Sequence, residues 1–113
     1  MAEHNKKMSK TISYDKENDI LVIHKGFSAE ERFKGNIDAG DLIIDISTKE
    51  RVRGIEVINA SRFLKEFDIK RQVLENMSDA NFNASLKPQS IIISMTIRSE
   101  KEELPAKIAV TLG

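Results

Sequence analysis

At 113 residues, 40% of them hydrophobic, the chain can bury one modest core and requires no second domain. Lysine plus arginine and aspartate plus glutamate each number 18, so no net field exists to recruit polyanions or an acidic membrane. The lack of cysteine excludes disulfides, thiolate metal centres and cysteine nucleophiles, and suits a reducing cytoplasm.

Residues 1–10 are polar, carry Lys6, Lys7 and Lys10, and lack the apolar stretch of a signal peptide. They read as a disordered tail ahead of a single domain over 11–113. No later run approaches the length that spans a bilayer, so the expectation is a soluble, cytoplasmic protein with no membrane role.

Residues 11–14 alternate polar and apolar, and 19–24 form a short apolar run, which predicts a hairpin turning over 15–19. Residues 25–38, with Gly26, Gly35, the pair Glu30 and Glu31 and only scattered apolar side chains, read as a long connection. Ser28 resembles an N-cap followed by one helical turn. Leu42, Ile44 and Ile46 share one face of a strand against Asp41 and Asp45. The next strand, 51–58, slips its alternation at Gly54, which marks either a glycine bulge or the close approach of another backbone.

From Asn59 the period becomes helical: Phe63, Phe67, Leu74 and Met77 follow one face, with Leu64 and Val73 beside it. Asn59 to Ser61 offer the cap, and Asp68 could start a fresh turn, giving one kinked helix or two short ones. Residues 77–86 read as a polar connection anchored by Phe82. Beyond Pro88, the strong alternation of Ile91, Ile93, Met95 and Ile97 is answered by Ala106, Ile108, Val110 and Leu112. The expected fold is therefore α+β: a single domain with a mostly antiparallel, twisted sheet of about six strands, and the helical segment packed on one face.

The series Tyr14-Asp15-x-Glu17-x-Asp19-x-Leu21-x-Ile23, Gly40-Asp41-Leu42-Ile43-Ile44-Asp45 and Val52-x-Gly54-Ile55-Glu56-Val57-Ile58-x-Ala60-Ser61 resembles the prokaryotic domain-of-unknown-function family 2283 over roughly residues 11–61. Where members of that family commonly carry an acidic, glycine-containing turn, this chain has Thr48-Lys49-Glu50-Arg51. Some members look like partners of small toxins in paired gene modules, which implies a protein-binding role.

A meander of the first four strands would bring the 15–19 and 48–51 turns to one end. Asp15, Glu17, Asp19, Asp45 and Glu50 would then form a rim of hard oxygen donors able to hold Ca²⁺ or Mg²⁺, with a solvated, salt-bridged turn as the competing interpretation. Glu56 on its strand is either a desolvated candidate base facing the helix or, as alternation favours, an outward residue paired with Arg53. His24 and His4 lack the spaced partners of a zinc site or a nucleophilic triad, and no glycine cluster feeds a phosphate loop. Arg62, Lys65, Lys70 and Arg71 give the helical segment a basic side. Aromatics at 5% argue against a nucleic-acid reader. The leading functional expectation is thus a non-catalytic binding module, engaging a protein partner or a second copy through open strand edges or Ile92. The alternative is a calcium-binding protein. Catalysis stands third, with no catalytic residue assigned.

Overall fold

The computed structural model describes residues 10–112, so the tail expected over 1–10 lies, except for Lys10, outside the described residues. The α+β class and antiparallel pairing are as expected, but the strands among the described residues number eight and form two sheets. Strands β1 (Thr11–Asp15), β2 (Ile20–His24), β3 (Phe33–Ala39), β4 (Leu42–Ser47) and β5 (Val52–Ile58) make one sheet in the order β1-β2-β5-β4-β3. Strands β6 (Met77–Leu86), β7 (Ser90–Ser99) and β8 (Glu103–Thr111) make the other. Helices α1 (Ala60–Phe63) and α2 (Arg71–Glu75), joined by a 3-10 turn over Leu64–Phe67, link the sheets.

The two additional strands, β3 and β6, occupy the segments expected as connections, and both lie at sheet edges. An edge strand pairs on one side only and tolerates charge and small side chains, and β3 and β6 use that tolerance where β8, also at an edge, keeps Ile108 and Val110 at its inward positions. In β3 only Gly35, Ile37 and Ala39 turn inward; in β6 the deep inward residues are Ala80 and Phe82, the latter anchoring the segment as expected. The strong alternation of β7 reflects its central place, paired to β6 on one side and β8 on the other.

Each sheet buries one face. Leu21, Ile23, Ile44, Ile55 and Val57 of the first join Phe82, Ile91, Ile93, Met95 and Ile108 of the second in one continuous core. The helical segment seals it with Ala60, Leu64, Ile69, Val73 and Leu74. Phe63 and Phe67, expected to lead this stripe, are only partly buried, with ring centroids 6.3 Å apart. The cause is Asp68, which adopts φ 61° and stops the first segment instead of capping the second. Its N–H reaches the Lys65 carbonyl at 3.0 Å and the Ile69 N–H reaches the Leu64 carbonyl at 3.2 Å, the paired bonds of a Schellman ending. That reversal rotates Ile69 and Leu74 onto the core.

The order of the first sheet is a Greek key, not the expected meander. Strands β3, β4 and β5 follow one another as hairpins, and β2 lies beside β5, reached from β3 by the connection 25–32. That connection crosses the end of the sheet where β2 and β4 finish and β3 and β5 begin.

Candidate functional site

Cross-strand partners in an antiparallel pair point to the same side, with Cβ atoms roughly 5 Å apart, so the register assigns the face turned away from the core. One row runs Ser13, Val22, Glu56, Ile43, Asp38, and the next runs Thr11, His24, Gly54, Asp45, Asn36. A third pairs Asp15, Ile20 and Ile58. Glu56 therefore faces outward, between Val22 and Ile43, as alternation favoured. It makes no ion pair with Arg53, whose guanidinium donates to the Gly26 carbonyl at 2.8 Å and lies 3.5 Å from Glu31.

Around Glu56, four aliphatic side chains, Ile20, Val22, Ile43 and Ile58, remain partly exposed. The charged residues at outward strand positions are Asp15, Asp38, Asp45 and Glu56, all acidic. The bulge residues Lys34 and Arg53 are engaged by Glu50 and Glu31. The outer face of the second sheet differs: Ile92 sits between Ser85 and Ala109, a single apolar residue among small and polar neighbours. The larger apolar surface is thus on the five-stranded sheet, carrying negative charge on a molecule of formal net charge zero.

One end of this face is closed. His24 and Ser47 occupy outward positions yet are buried, at 4% and 0% exposure, because the connection 25–32 folds over them. His24 Nδ1 accepts the Gly26 N–H at 2.8 Å and its ring meets Phe27 edge-on at 5.0 Å. The proton therefore resides on Nε2, 3.8 Å from Asp45 Oδ2. Burial, with the Arg53 charge, lowers the imidazole pKa against the opposing pull of Asp45, while burial raises that of Asp45. Near neutral pH the two are not an ion pair. The ring lies over Gly54, which pairs with both His24 and Asp45; a Cβ there would stand 2.3 Å from His24 Cδ2. Gly54 is thus required by a neighbouring side chain, not another backbone. The expected bulge is present too, but Arg53 is the extra residue, falling between the pairs Asp45–Gly54 and Ile46–Val52, and Gly54 is not in the positive-φ region.

The connection is pinned by Glu31, 4% exposed, which the sequence reading did not single out. Its carboxylate accepts Ser47 Oγ at 2.6 Å, Arg51 Nε at 2.9 Å and the Ser28 N–H at 3.1 Å. Burial opposes this charge, but the bonds from Ser47, Ser28 and Arg51 and the nearby Arg53 bring its pKa down to about 2. The sequence signal was the spacing Ser28-x-x-Glu31, in which the glutamate reaches back to the serine N–H as in a capping box.

The Greek key separates the five proposed cation ligands. Asp15, Glu17 and Asp19 lie at the β1–β2 turn, whereas Glu50 lies at the β4–β5 turn on the opposite end and Asp45 near that end. The rim expected from a meander is therefore not formed, and among the described residues no group of three or more histidines and acids is arranged to hold a metal ion. Asp15 spends its carboxylate on the N–H groups of Glu17 and Asn18, at 3.0 and 3.1 Å, and on Asn18 Nδ2 at 2.8 Å. Glu50 pairs with Lys34.

Asp19 is the latch between the turn and the helices. Its Oδ1 accepts Tyr14 Oη at 2.5 Å and the Ser61 N–H at 3.0 Å, its Oδ2 accepts Ser61 Oγ at 2.8 Å, and its carbonyl accepts the Ala60 N–H at 2.9 Å. Burial works against the Asp19 charge, but the Tyr14 and Ser61 bonds hold its pKa below the usual value; burial and Asp19 together push Tyr14 up to about 12. The local cap expected from Asn59 is absent: Asn59 is left-handed, at φ 53°, and makes no side-chain cap bond. Asp19→Ala should therefore lower stability by about 2–3 kcal/mol, combining a lost cap with alanine's strain at φ 57°. Asp19→Asn should recover at least half of that; urea melts check both, and an alanine variant within about 0.5 kcal/mol of the intact protein would refute the latch.

The comparisons with known proteins coincide with this anatomy. A family model for proteins of unknown function, DUF2283, matches residues 11–61. The matched segment is the five-stranded sheet together with Ala60 and Ser61, so it contains both halves of the Asp19 latch. The chain is 33% identical over 92 residues to an uncharacterized protein of Methanocaldococcus jannaschii, covering 80% of this chain and 72% of that protein. No solved structure matches the chain.

Proposed function

The chain belongs to the DUF2283 family of proteins of unknown function, and from that premise we propose that it is a small, non-catalytic binding module that docks a partner protein on the outer face of its five-stranded sheet. The observation carrying this reading is the partly exposed cluster of Ile20, Val22, Ile43 and Ile58 around Glu56, with acidic charge at the regular outward strand positions. Finishing the burial of each partly exposed aliphatic would contribute on the order of 0.5–1 kcal/mol. The carboxylates select a basic, amphipathic segment and steer its approach.

No helix among the described residues is long and apolar enough to cross a membrane; on the proposed reading the module works in the cytoplasm. The calcium alternative receives no comparable support, because its carboxylates are divided between opposite ends of the sheet and Asp15, Asp19 and Glu50 are already engaged.

The test is affinity capture of a tagged copy from the cells that make the protein, under mild conditions, beside an Ile43→Asp variant of matched thermal stability. The intact protein should retain a specific partner and the variant should bind it at least tenfold more weakly. Recovery of the protein alone, equal retention by the variant, or a second copy as the occupant would contradict the proposal.

A further inference from the structure

Away from the sheet face, the kink at Asp68 leaves a concave surface between the two helical segments. This open cleft of about 540 Å³ is lined by Ser61, Arg62, Lys65, Asp68, Lys70 and Arg71. All but Ser61 are exposed, and four of the six side chains are cationic. We infer that this cleft binds a small ligand bearing a di- or triphosphate group.

Of the sixteen described lysines and arginines, seven form ion pairs: Lys10 with Asp79, Lys34 with Glu50, Lys49 with Glu30, Arg51 and Arg53 with Glu31, Arg71 with Glu75 and Arg98 with Glu103; of the nine that form none, three share this cleft. Among the described residues, Arg62, Lys65 and Lys70 take part in none of these ion pairs, although they line one cavity with a carboxylate, Asp68, among them. Arg71, the remaining cation, is fixed in place: its Nε lies 3.1 Å from Glu75 Oε2 and its Nη2 donates to the Lys16 carbonyl on the β1–β2 turn. It adds a fourth positive charge at one side of the cleft, while the other three carry no ion pair.

The geometry comes from the backbone. Asp68 reverses the chain and Lys70 is extended, at φ −84° and ψ 159°, so Lys70 and Arg71 return toward Arg62 and Lys65. Cations from two segments facing one hollow call for an anion with more than one charged group, since a single carboxylate satisfies only one. A volume of this size suits a small molecule, whereas an acidic protein would need a broader surface. Guanidinium and ammonium groups are the common partners of phosphate oxygens, arginine through its planar fork and lysine as a point charge.

The test is calorimetric titration of the intact protein with pyrophosphate at ionic strength held constant with sodium chloride, which separates site binding from screening. The comparison variants are Arg62→Gln with Lys70→Gln, and, as a control, Lys87→Gln with Lys107→Gln, which removes two exposed cations from the β6–β7 connection and β8. Both pairs lie on exposed positions, and melting curves without ligand verify folding. Saturable binding is expected in the intact protein and the control, at least tenfold weaker in the Arg62/Lys70 variant. Absence of binding, or equal weakening in both variants, overturns the inference. So does attachment only to vesicles containing phosphatidylinositol bisphosphate, which would assign the cleft to a membrane surface.

Discussion

Replacing Gly54 with alanine should destabilise the protein by about 3 kcal/mol, the upper part of the range for forcing extra volume into a packed site. The added Cβ would stand 2.3 Å from His24 Cδ2 and 3.0 Å from Cγ and Nε2. The ring cannot swing clear, because Nδ1 is bonded to the Gly26 N–H and Phe27 packs against its edge. The strain should therefore pass to the 25–32 connection. A second change isolates the cause: in the background of His24→Ala, adding Gly54→Ala should cost at least 1 kcal/mol less than it does in the intact protein. Equal costs in the two backgrounds, measured by urea unfolding, would show that Gly54 serves the bulge and not the histidine.

Glu31→Ala should cost about 3 kcal/mol. It leaves the Ser47 hydroxyl and the Ser28 N–H without their acceptor and strips Arg51 and Arg53 of their carboxylate. The value sits at the low end for a broken buried pair because Arg51 is half exposed and can rehydrate. Glu31→Gln, which keeps an acceptor for Ser47, should lose about half as much. The same site shapes the acid limb of stability. A carboxyl whose folded pKa is about 2, against an ordinary 4.5, binds its proton more readily in the unfolded chain. Its contribution is complete above pH 4.5 and disappears as pH falls toward 2. The amount at stake is on the order of 2–3 kcal/mol after allowing for solvent screening at Arg51. The lowered pKa values of Asp15, Asp19 and His24 act in the same direction, so the difference between intact protein and Glu31→Gln is the informative quantity. Between pH 6 and pH 3 the intact protein should lose more stability than the variant; parallel curves would remove Glu31 from the acid response.

These two residues also mark where the sequence was and was not legible. Gly54 stood out because it interrupts an apolar strand, but its neighbour could not be named: His24 is 30 positions away and reaches it only because the Greek key sets β2 beside β5. Strand alternation reports which face a side chain occupies and is silent on strand order, so it does not distinguish a meander, which would build the acidic rim, from the Greek key, which divides it. The outward placement of Glu56 needed only local alternation and was readable. Central strands declared themselves, as in Ile91 to Ile97, because both their neighbours and one face demand apolar side chains. Strands β3 and β6 did not, since small side chains fill many of their inward positions, Gly35 and Ala39 in β3 and Ala80 and Ala84 in β6. The helix cap was misassigned for a related reason. Asn59 has the composition of a cap, but the carboxylate that performs the task comes from Asp19, 42 positions before Ser61. The matched family segment contains both sides of that contact and ends on Ser61.

The same long-range closure underlies the proposed docking role of the five-stranded sheet. The latch at one end and Glu31 at the other hold the sheet so that Ile20, Val22, Ile43, Ile58 and Glu56 form a fixed outer surface. The most direct test is methyl-resolved NMR of the isoleucine and valine side chains during titration with the captured partner. The expected result is that the Ile20, Val22, Ile43 and Ile58 methyl signals shift or broaden while those of Ile23, Ile44 and Ile55, on the buried face of the same strands, stay in place. Shifts centred on Ile92, or confined to residues away from the five-stranded sheet, would contradict a docking role for this face.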